Sequence, residues 1–155
     1  MAAVIRLATR EDRPAVEAIV RAAYAPYVPR IGREPGPMGD DYAALIEAGR
    51  VHVLERDGRV LGLLVLVPER DAMLLDNVAV APAFQGEGWG GMLLAFAENA
   101  AREAGFRSIR LYTNEAMTEN ISRYARIGYT ETHRNEEKGL RRVHMAKALD
   151  QERSA

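Results

Sequence analysis

The alternation of apolar and polar residues along the chain follows two different periods. Apolar runs and two-residue alternation predict seven strands, at residues 4–8, 51–55, 59–67, 72–80, 108–113, 129–134 and 141–147. Apolar residues three and four positions apart predict four helices, from Thr9 or Asp12 to Tyr24 and at residues 42–48, 89–104 and 117–127. This order predicts a mixed sheet that is antiparallel at first and continues through a helical crossover.

Turn residues support these boundaries. Asp57-Gly58 favours a hairpin between the second and third strands, and Gly128 is typical of a helix end. Residues 27–41, YVPRIGREPGPMGDD, contain three prolines and three glycines, so we expect no regular element there. Loops of this length in compact domains tend to be functional.

Composition narrows the class of protein. The 155 residues favour one domain, and 21 basic against 22 acidic residues leave a net charge of -1, which predicts neither a nucleic-acid nor a membrane partner. The chain contains no cysteine, and its three histidines lack metal-site spacing, so no metal is expected. Charge begins too early in MAAVIRLATRED for a signal peptide, which predicts a cytoplasmic protein.

A glycine-rich stretch, VAVAPAFQGEGWGG, covers residues 78–91. Its last six residues match G-x-G-x-x-G, but the dinucleotide fingerprint begins directly after the first strand of a doubly wound domain. Here the strand is the fourth, and Ala81 to Gln85 separate it from the first glycine of the match. A Walker loop fails as well, because neither lysine nor a hydroxyl residue follows Gly91.

The spacing Gln85-x-x-Gly88-x-Gly90 fits a third interpretation. Successive backbone N–H groups at a helix start bind anions, and glycine lets a pyrophosphate approach because it has no Cβ. The alternative is a connection without a ligand. Four glycines at a helix start are costly, since each weakens the helix by roughly 0.5–1 kcal/mol relative to alanine. A phosphate-binding role is therefore favoured.

With this loop, LLDNVAVAPAFQGEGWGGMLL resembles the GNAT superfamily of acetyl-CoA-dependent N-acetyltransferases, which carry a strand, a Q/R-x-x-G-x-G/A loop and a helix in this order. The resemblance implies an α/β (α+β mixed) fold, with a mostly antiparallel central sheet of about seven strands, flanked by helices and splayed between the fourth and fifth strands. It implies one acetyltransferase domain at residues 1–150, a C-terminal tail at residues 151–155, and acetyl-CoA (coenzyme A) as the cofactor.

The strand before the loop breaks strict alternation at Asp76 and Asn77. A bulge that reverses the facing explains this pattern, and a solvated pair on an edge strand is the alternative. By resemblance, pantetheine lies in the gap that opens at the bulge, against the backbone of Val78 and Val80. The N–H of Val78 would then stabilise the oxyanion.

A second motif lies in TNEAMTENISRYARIGY, residues 113–129. Asn120 and Tyr124 are four positions apart and share one helix face. By resemblance, Asn120 bonds the cofactor and Tyr124 is the general acid toward the departing thiolate, because a phenol is protonated at neutral pH. The complete predicted cofactor site consists of Val78, Ala79, Val80, Gln85, Gly86, Glu87, Gly88, Trp89, Gly90, Gly91, Asn120, Tyr124 and Arg126. Arg126 and Arg123 are candidates for the adenosine phosphates, and solvated helix arginines are the alternative.

The general base and the acceptor site are less sharply predicted. Some family members carry a glutamate early on the strand before the loop, where this chain has Leu74. Asp76 is the candidate base, and Glu115 or an ordered water is the alternative. The segment at residues 25–40 lies where family members shape acceptor specificity. The predicted substrate-binding residues are Tyr24, Tyr27, Arg30 and Arg33, which suit an acceptor with a carboxylate or phosphate beside its amine.

The predicted activity is transfer of an acetyl group from acetyl-CoA to a primary amine by direct attack in a ternary complex. The acceptor is a small-molecule amine or a peptide N-terminus, and the protein is a monomer or a homodimer. A covalent intermediate is not expected, because the chain has no cysteine and no G-x-S-x-G serine. The alternatives are a non-catalytic acyl-CoA-binding module and, less favoured, a Rossmann-type nucleotide-binding oxidoreductase.

Overall fold

The computed structural model describes residues 2–149 and contains a single sheet flanked by helices. The strands are β1 (Val4–Leu7), β2 (Val51–Arg56), β3 (Arg59–Pro68), β4 (Met73–Val80), β5 (Ser108–Asn114), β6 (Thr130–Glu137) and β7 (Leu140–Ala148). The helices are α1 (Arg13–Tyr24), α2 (Val28–Ile31), α3 (Tyr42–Glu47), α4 (Trp89–Glu103) and α5 (Thr118–Arg126). The predicted order of elements is confirmed, apart from the addition of α2. The predicted tail at residues 151–155 lies outside the described residues.

The seven strands are arranged in the order β1-β2-β3-β4-β5-β7-β6. Every neighbouring pair is antiparallel except β4 and β5, which run parallel and are joined through α4. A parallel pair requires a long crossover, and the helix after the glycine-rich loop provides it. The predicted mixed, mostly antiparallel sheet is therefore confirmed.

A bulge in β4 separates the sheet into two halves. Val65 pairs with Asn77 while Leu66 pairs with Leu75, so Asp76 is the extra residue on β4. The pairing between β4 and β5 covers three residues of each strand and ends at Leu75 and Leu111. Beyond that point the two strands separate, which confirms the predicted splay and opens a cleft in the middle of the sheet.

The two faces of the sheet bury separate apolar clusters. Val53 and Val65 contact the helices α1 and α3 on one face, whereas Leu54 and Leu64 contact α4 on the other. This division follows from the two-residue period of strand side chains. The helices therefore cover both faces of the sheet and hold the separated strands in position. None of the described helices is long and apolar enough to cross a membrane.

The prediction that residues 27–41 form no regular element is wrong. Val28–Ile31 form one turn of α-helix with Pro29 in its first turn, and the turn ends at Gly32, whose φ of 86° is left-handed. A 3₁₀ turn follows at Gly36–Gly39. Proline is tolerated in a first helical turn, where its missing N–H costs no hydrogen bond, and glycine adopts the left-handed end. The segment therefore contains two short helical turns, and Pro35, Gly36 and Pro37 line the cleft.

Candidate active site

The cleft between β4 and β5 consists of two connected cavities, which we call the groove and the chamber. The groove has a volume of about 520 Å³ and runs past the glycine-rich loop; its lining includes Ala79, Val80, Gln85, Gly86, Gly90, Leu94 and Arg123. The chamber lies beside the bulge, and its lining includes Pro35, Gly36, Pro37, Asp76, Asn77, Tyr112, Leu140 and Arg142. Five residues line both cavities and mark their junction: Tyr24, Val78, Met117, Asn120 and Tyr124.

The glycine-rich loop leaves its backbone open to solvent at the start of α4. Gly86 and Gly88 have φ values of 82° and 92°, a region that L side chains rarely adopt. A Cβ added at Gly86, Gly88 or Gly91 would meet no atom within 4 Å, so the loop faces open space. The side-chain amide of Gln85 donates to the carbonyl oxygen of Val80 at 3.0 Å and ties the loop to the end of β4. The first N–H groups of α4 have no partners within the helix, and a helix start of this kind suits an anion.

Tyr124 presents a protonated phenol at the junction of the two cavities. Its ring is buried and packs edge-on against Tyr129, with 5.8 Å between ring centres. Among the described residues its hydroxyl has no hydrogen-bond partner. Burial raises the pKa of Tyr124 to about 12, so the group retains its proton at neutral pH. The hydroxyl is therefore available as a donor to a ligand.

The carboxylate of Asp76 belongs to the chamber. The Tyr112 hydroxyl donates to Asp76 Oδ1 at 2.8 Å and holds the carboxylate in place. Burial, followed by the negative charge of Asp76, raises the pKa of Tyr112 above its ordinary range. The sequence did not single out Tyr112, because its pairing with Asp76 depends on the meeting of β4 and β5. The one available signal was a tyrosine on the fifth predicted strand, which borders the predicted gap in the sheet.

A buried network of hydrogen bonds joins Asn77 to both helices on its face of the sheet. The Tyr24 hydroxyl donates to Asn77 Oδ1 at 2.5 Å, and Asn77 Nδ2 donates to the Tyr42 hydroxyl at 3.1 Å. The Tyr42 hydroxyl donates in turn to the carbonyl oxygen of Pro37 at 2.5 Å. This network connects α1, α3 and the segment after α2 to the bulged strand, so it positions the chamber wall. Sequence reasoning assigned no role to Asn77 or Tyr42.

The four residues predicted to bind the acceptor do not converge on one point. Tyr24, Tyr27 and Arg30 line the groove, and Tyr24 also lines the chamber. Both terminal nitrogens of the Arg30 guanidinium contact Glu119, at 2.8 and 2.9 Å, and this contact lowers the pKa of Glu119 to about 2. The Arg33 guanidinium lies against the turn at Gly139. The Arg30–Glu119 pair therefore joins α2 to α5.

The other predicted cofactor residues are distributed around the loop and α5. Asn120 lines the groove one helical turn before Tyr124. Trp89 Nε1 donates a hydrogen bond to Glu87 Oε1 at 3.0 Å. Arg126 is exposed on α5, whereas Arg123, one turn earlier, reaches the groove. Of the two arginines, Arg123 lines the groove and Arg126 does not.

Comparison with known proteins identifies the family of the chain and supports its fold. The model of the Acetyltransferase (GNAT) family matches residues 16–129. The chain therefore belongs to the GNAT family of acetyltransferases, and the resemblance predicted from the two motifs is confirmed. Among its relatives, it is 29% identical over 137 residues to YjgM of Escherichia coli strain K12, an uncharacterized N-acetyltransferase, with 81% of each chain covered.

Solved structures share the fold at lower sequence identity. The ribosomal-protein-S18-alanine N-acetyltransferase of Escherichia coli superposes with a TM-score of 0.78 at 19% identity, covering 99% of this chain and 97% of the other. A GNAT family acetyltransferase from Elizabethkingia anophelis with acetyl-CoA bound has a TM-score of 0.75 at 18% identity, covering 95% and 98%. At sequence identities this low, the structural similarity shows a shared fold and assigns no function.

Proposed function

We propose that this protein transfers an acetyl group from acetyl-CoA to a primary amine by direct attack in a ternary complex. The observation that carries the proposal is the junction of the groove and the chamber, where Tyr124 and Val78 line both cavities. The groove leads from this junction to the anion site of the loop, and the chamber leads from it to Asp76. Such a junction lets two substrates meet without a covalent intermediate on the enzyme. A cytoplasmic location is part of the same proposal.

The groove fits acetyl-CoA by its shape and by its donors. The open backbone of Gly86 to Gly91 at the start of α4 would hold the pyrophosphate, and Arg123 would contact a phosphate. The backbone of Val78 and Val80 would pair with the amides of pantetheine. When bound, acetyl-CoA supplies an activated thioester. The Elizabethkingia anophelis acetyltransferase, which shares this fold, binds acetyl-CoA.

The residues around the junction have complementary acid and base roles. Asp76 accepts a proton from the bound ammonium, which leaves a neutral amine whose lone pair attacks the thioester carbon, and Tyr112 holds the carboxylate in place. As the new C–N bond forms, the N–H of Val78 stabilises the negative charge on the acetyl oxygen. As the C–S bond breaks, Tyr124 donates its hydroxyl proton to the departing thiolate. The second proton that the nitrogen loses passes to solvent, and Tyr124 is reprotonated from solvent.

Two-substrate kinetics test this proposal. Release of the coenzyme A thiol is measured while acetyl-CoA and a panel of amines are varied. A ternary complex predicts double-reciprocal lines that intersect, and mass spectrometry should find no acetylated protein before amine is added. Parallel lines with an acetylated protein would refute direct transfer. Binding of acetyl-CoA without turnover on any amine would support the acyl-CoA-binding module instead.

A further inference from the structure

The chamber contains one negative and one positive side chain. Among the described residues that line it, Asp76 is the one acidic side chain and Arg142 is the one basic side chain. Tyr112 lies between them, because its hydroxyl bonds Asp76 at 2.8 Å and its ring centre lies 4.3 Å from Arg142 Cζ. The two charges are thus separated by about one tyrosine side chain.

The Arg142 guanidinium is held rigidly but is only partly paired. Its side chain is 12% exposed, and Nη1 donates to Glu137 on the neighbouring strand at 2.5 Å. Nε and Nη2 donate no hydrogen bond to the described part of the chain. Nη2 lies beside Gly36 in the chamber wall, where a Cβ would approach it to 3.3 Å. Desolvated N–H groups of a cation are costly to leave unpaired, so this edge of the guanidinium is suited to bind a ligand.

We propose that the chamber binds a small acceptor amine that also carries a carboxylate, with the amine at Asp76 and the carboxylate at Arg142. This inference rests on the proposed acetyl transfer and deepens it by naming the acceptor class. A guanidinium fixed by stacking offers two parallel N–H donors to a carboxylate, which an ammonium cannot reproduce. The separation of the two charges by one tyrosine suits a small amino acid. Glu137 holds the guanidinium from its solvent side, since the Glu137 side chain is 51% exposed.

The test compares two matched acceptors, alanine and alaninamide, which differ in the charge of the carboxyl group. For the unmodified protein we expect kcat/KM for alanine to exceed that for alaninamide by about 10- to 100-fold, the range that a charged hydrogen-bonded contact provides. Arg142→Gln should remove this preference mainly through the KM for alanine and leave the KM for acetyl-CoA unchanged. Arg142→Lys should restore part of it, because the charge remains while the bidentate geometry is lost.

Arg141 is the matched control, since it is adjacent in sequence but paired elsewhere. Its side chain is 66% exposed and contacts Glu115 at 2.8 Å. Arg141→Gln should therefore leave the preference for alanine unchanged. Aminoethyl phosphate tests whether Arg142 prefers a phosphate to a carboxylate on the acceptor. A higher kcat/KM for aminoethyl phosphate than for alanine would overturn the carboxylate assignment.

The remaining outcomes separate this inference from the proposed function. Equal turnover of alanine and alaninamide by the unmodified protein would overturn the inference while direct transfer stands. The same conclusion follows if Arg142→Gln retains the full preference. If no amine is acetylated, the proposal of direct transfer fails. Thermal melting in the presence of coenzyme A then tests whether Arg142 binds the carboxylate. In that case alanine, but not alaninamide, should raise the Tm of the unmodified protein and not that of the Arg142→Gln variant; equal shifts would overturn the inference.

Discussion

The substitution Tyr124→Phe separates chemistry from folding at this site. It removes one hydroxyl and leaves the buried ring, which packs on Tyr129 at 5.8 Å between ring centres. That hydroxyl makes no hydrogen bond to any described residue, so its loss breaks no contact within them. We therefore expect the free energy of unfolding to change by less than about 0.5 kcal/mol.

The expected loss of turnover is much larger. General acid catalysis by a positioned group contributes about 100- to 10,000-fold, which corresponds to roughly 3–5 kcal/mol of barrier. The pKa of Tyr124, raised to about 12 by burial, keeps the acid protonated throughout the neutral range. Titration of Tyr124 should therefore cause no loss of turnover between about pH 7 and pH 10. The variant should lose about 100-fold in kcat, with its affinity for acetyl-CoA changed less than about threefold.

The assay combines steady-state thiol release, binding calorimetry with acetyl-CoA, and thermal melting. Tyr129→Phe is the matched control, because the Tyr129 hydroxyl likewise has no partner in the described structure but is buried and lines neither cavity. It should retain full turnover and equal or greater stability, since it removes a polar group that is buried and unpaired.

Two results would refute the reasoning. If Tyr124→Phe keeps the kcat of the unmodified protein at saturating substrates, its hydroxyl is not the general acid. If Tyr124→Phe and Tyr129→Phe reduce turnover equally, the effect comes from packing of the ring pair and not from proton donation.

Two further substitutions test the loop and the Asn77 network. Gly88→Glu adds bulk and a negative charge at a φ of 92°, so coenzyme A affinity measured by calorimetry should fall by at least about 100-fold. Gly49→Glu, at a φ of 74° after α3, should lower stability but not affinity, and equal affinity in both variants would contradict the loop assignment. Asn77→Ala removes two buried hydrogen bonds and should cost about 2–4 kcal/mol, a fall of about 5–15 °C in Tm, with a fall below about 2 °C counting against the network.

Features of the site that depend on the backbone were predictable from the sequence. The Gln85, Gly88 and Gly90 spacing predicted an anion loop because positive φ and the absence of Cβ are properties of glycine itself. The break in alternation at Asp76 predicted the bulge that divides the sheet. The four-residue spacing of Asn120 and Tyr124 predicted a shared helix face, and both residues line the groove.

Contacts between side chains that are distant in sequence required the tertiary structure. The arginines predicted for the acceptor were chosen by their place in a loop. The fold instead pairs Arg30 with Glu119 on α5 and places Arg33 against Gly139. Short α2 was missed because prolines and glycines at the ends of a helical turn have the same composition as a loop.

The family, the order of the strands and longer helices along the chain, and the open glycine-rich loop were all predictable from the sequence, because each follows from local backbone preference and short-range periodicity. Only the tertiary structure decided which charges share the chamber. Asp76, Tyr112 and Arg142 lie on β4, β5 and β7. They line one cavity because β4 and β5 separate after Leu75 and Leu111, while β7 pairs with the other edge of β5. No spacing pattern in the sequence predicts that these three residues line the same cavity.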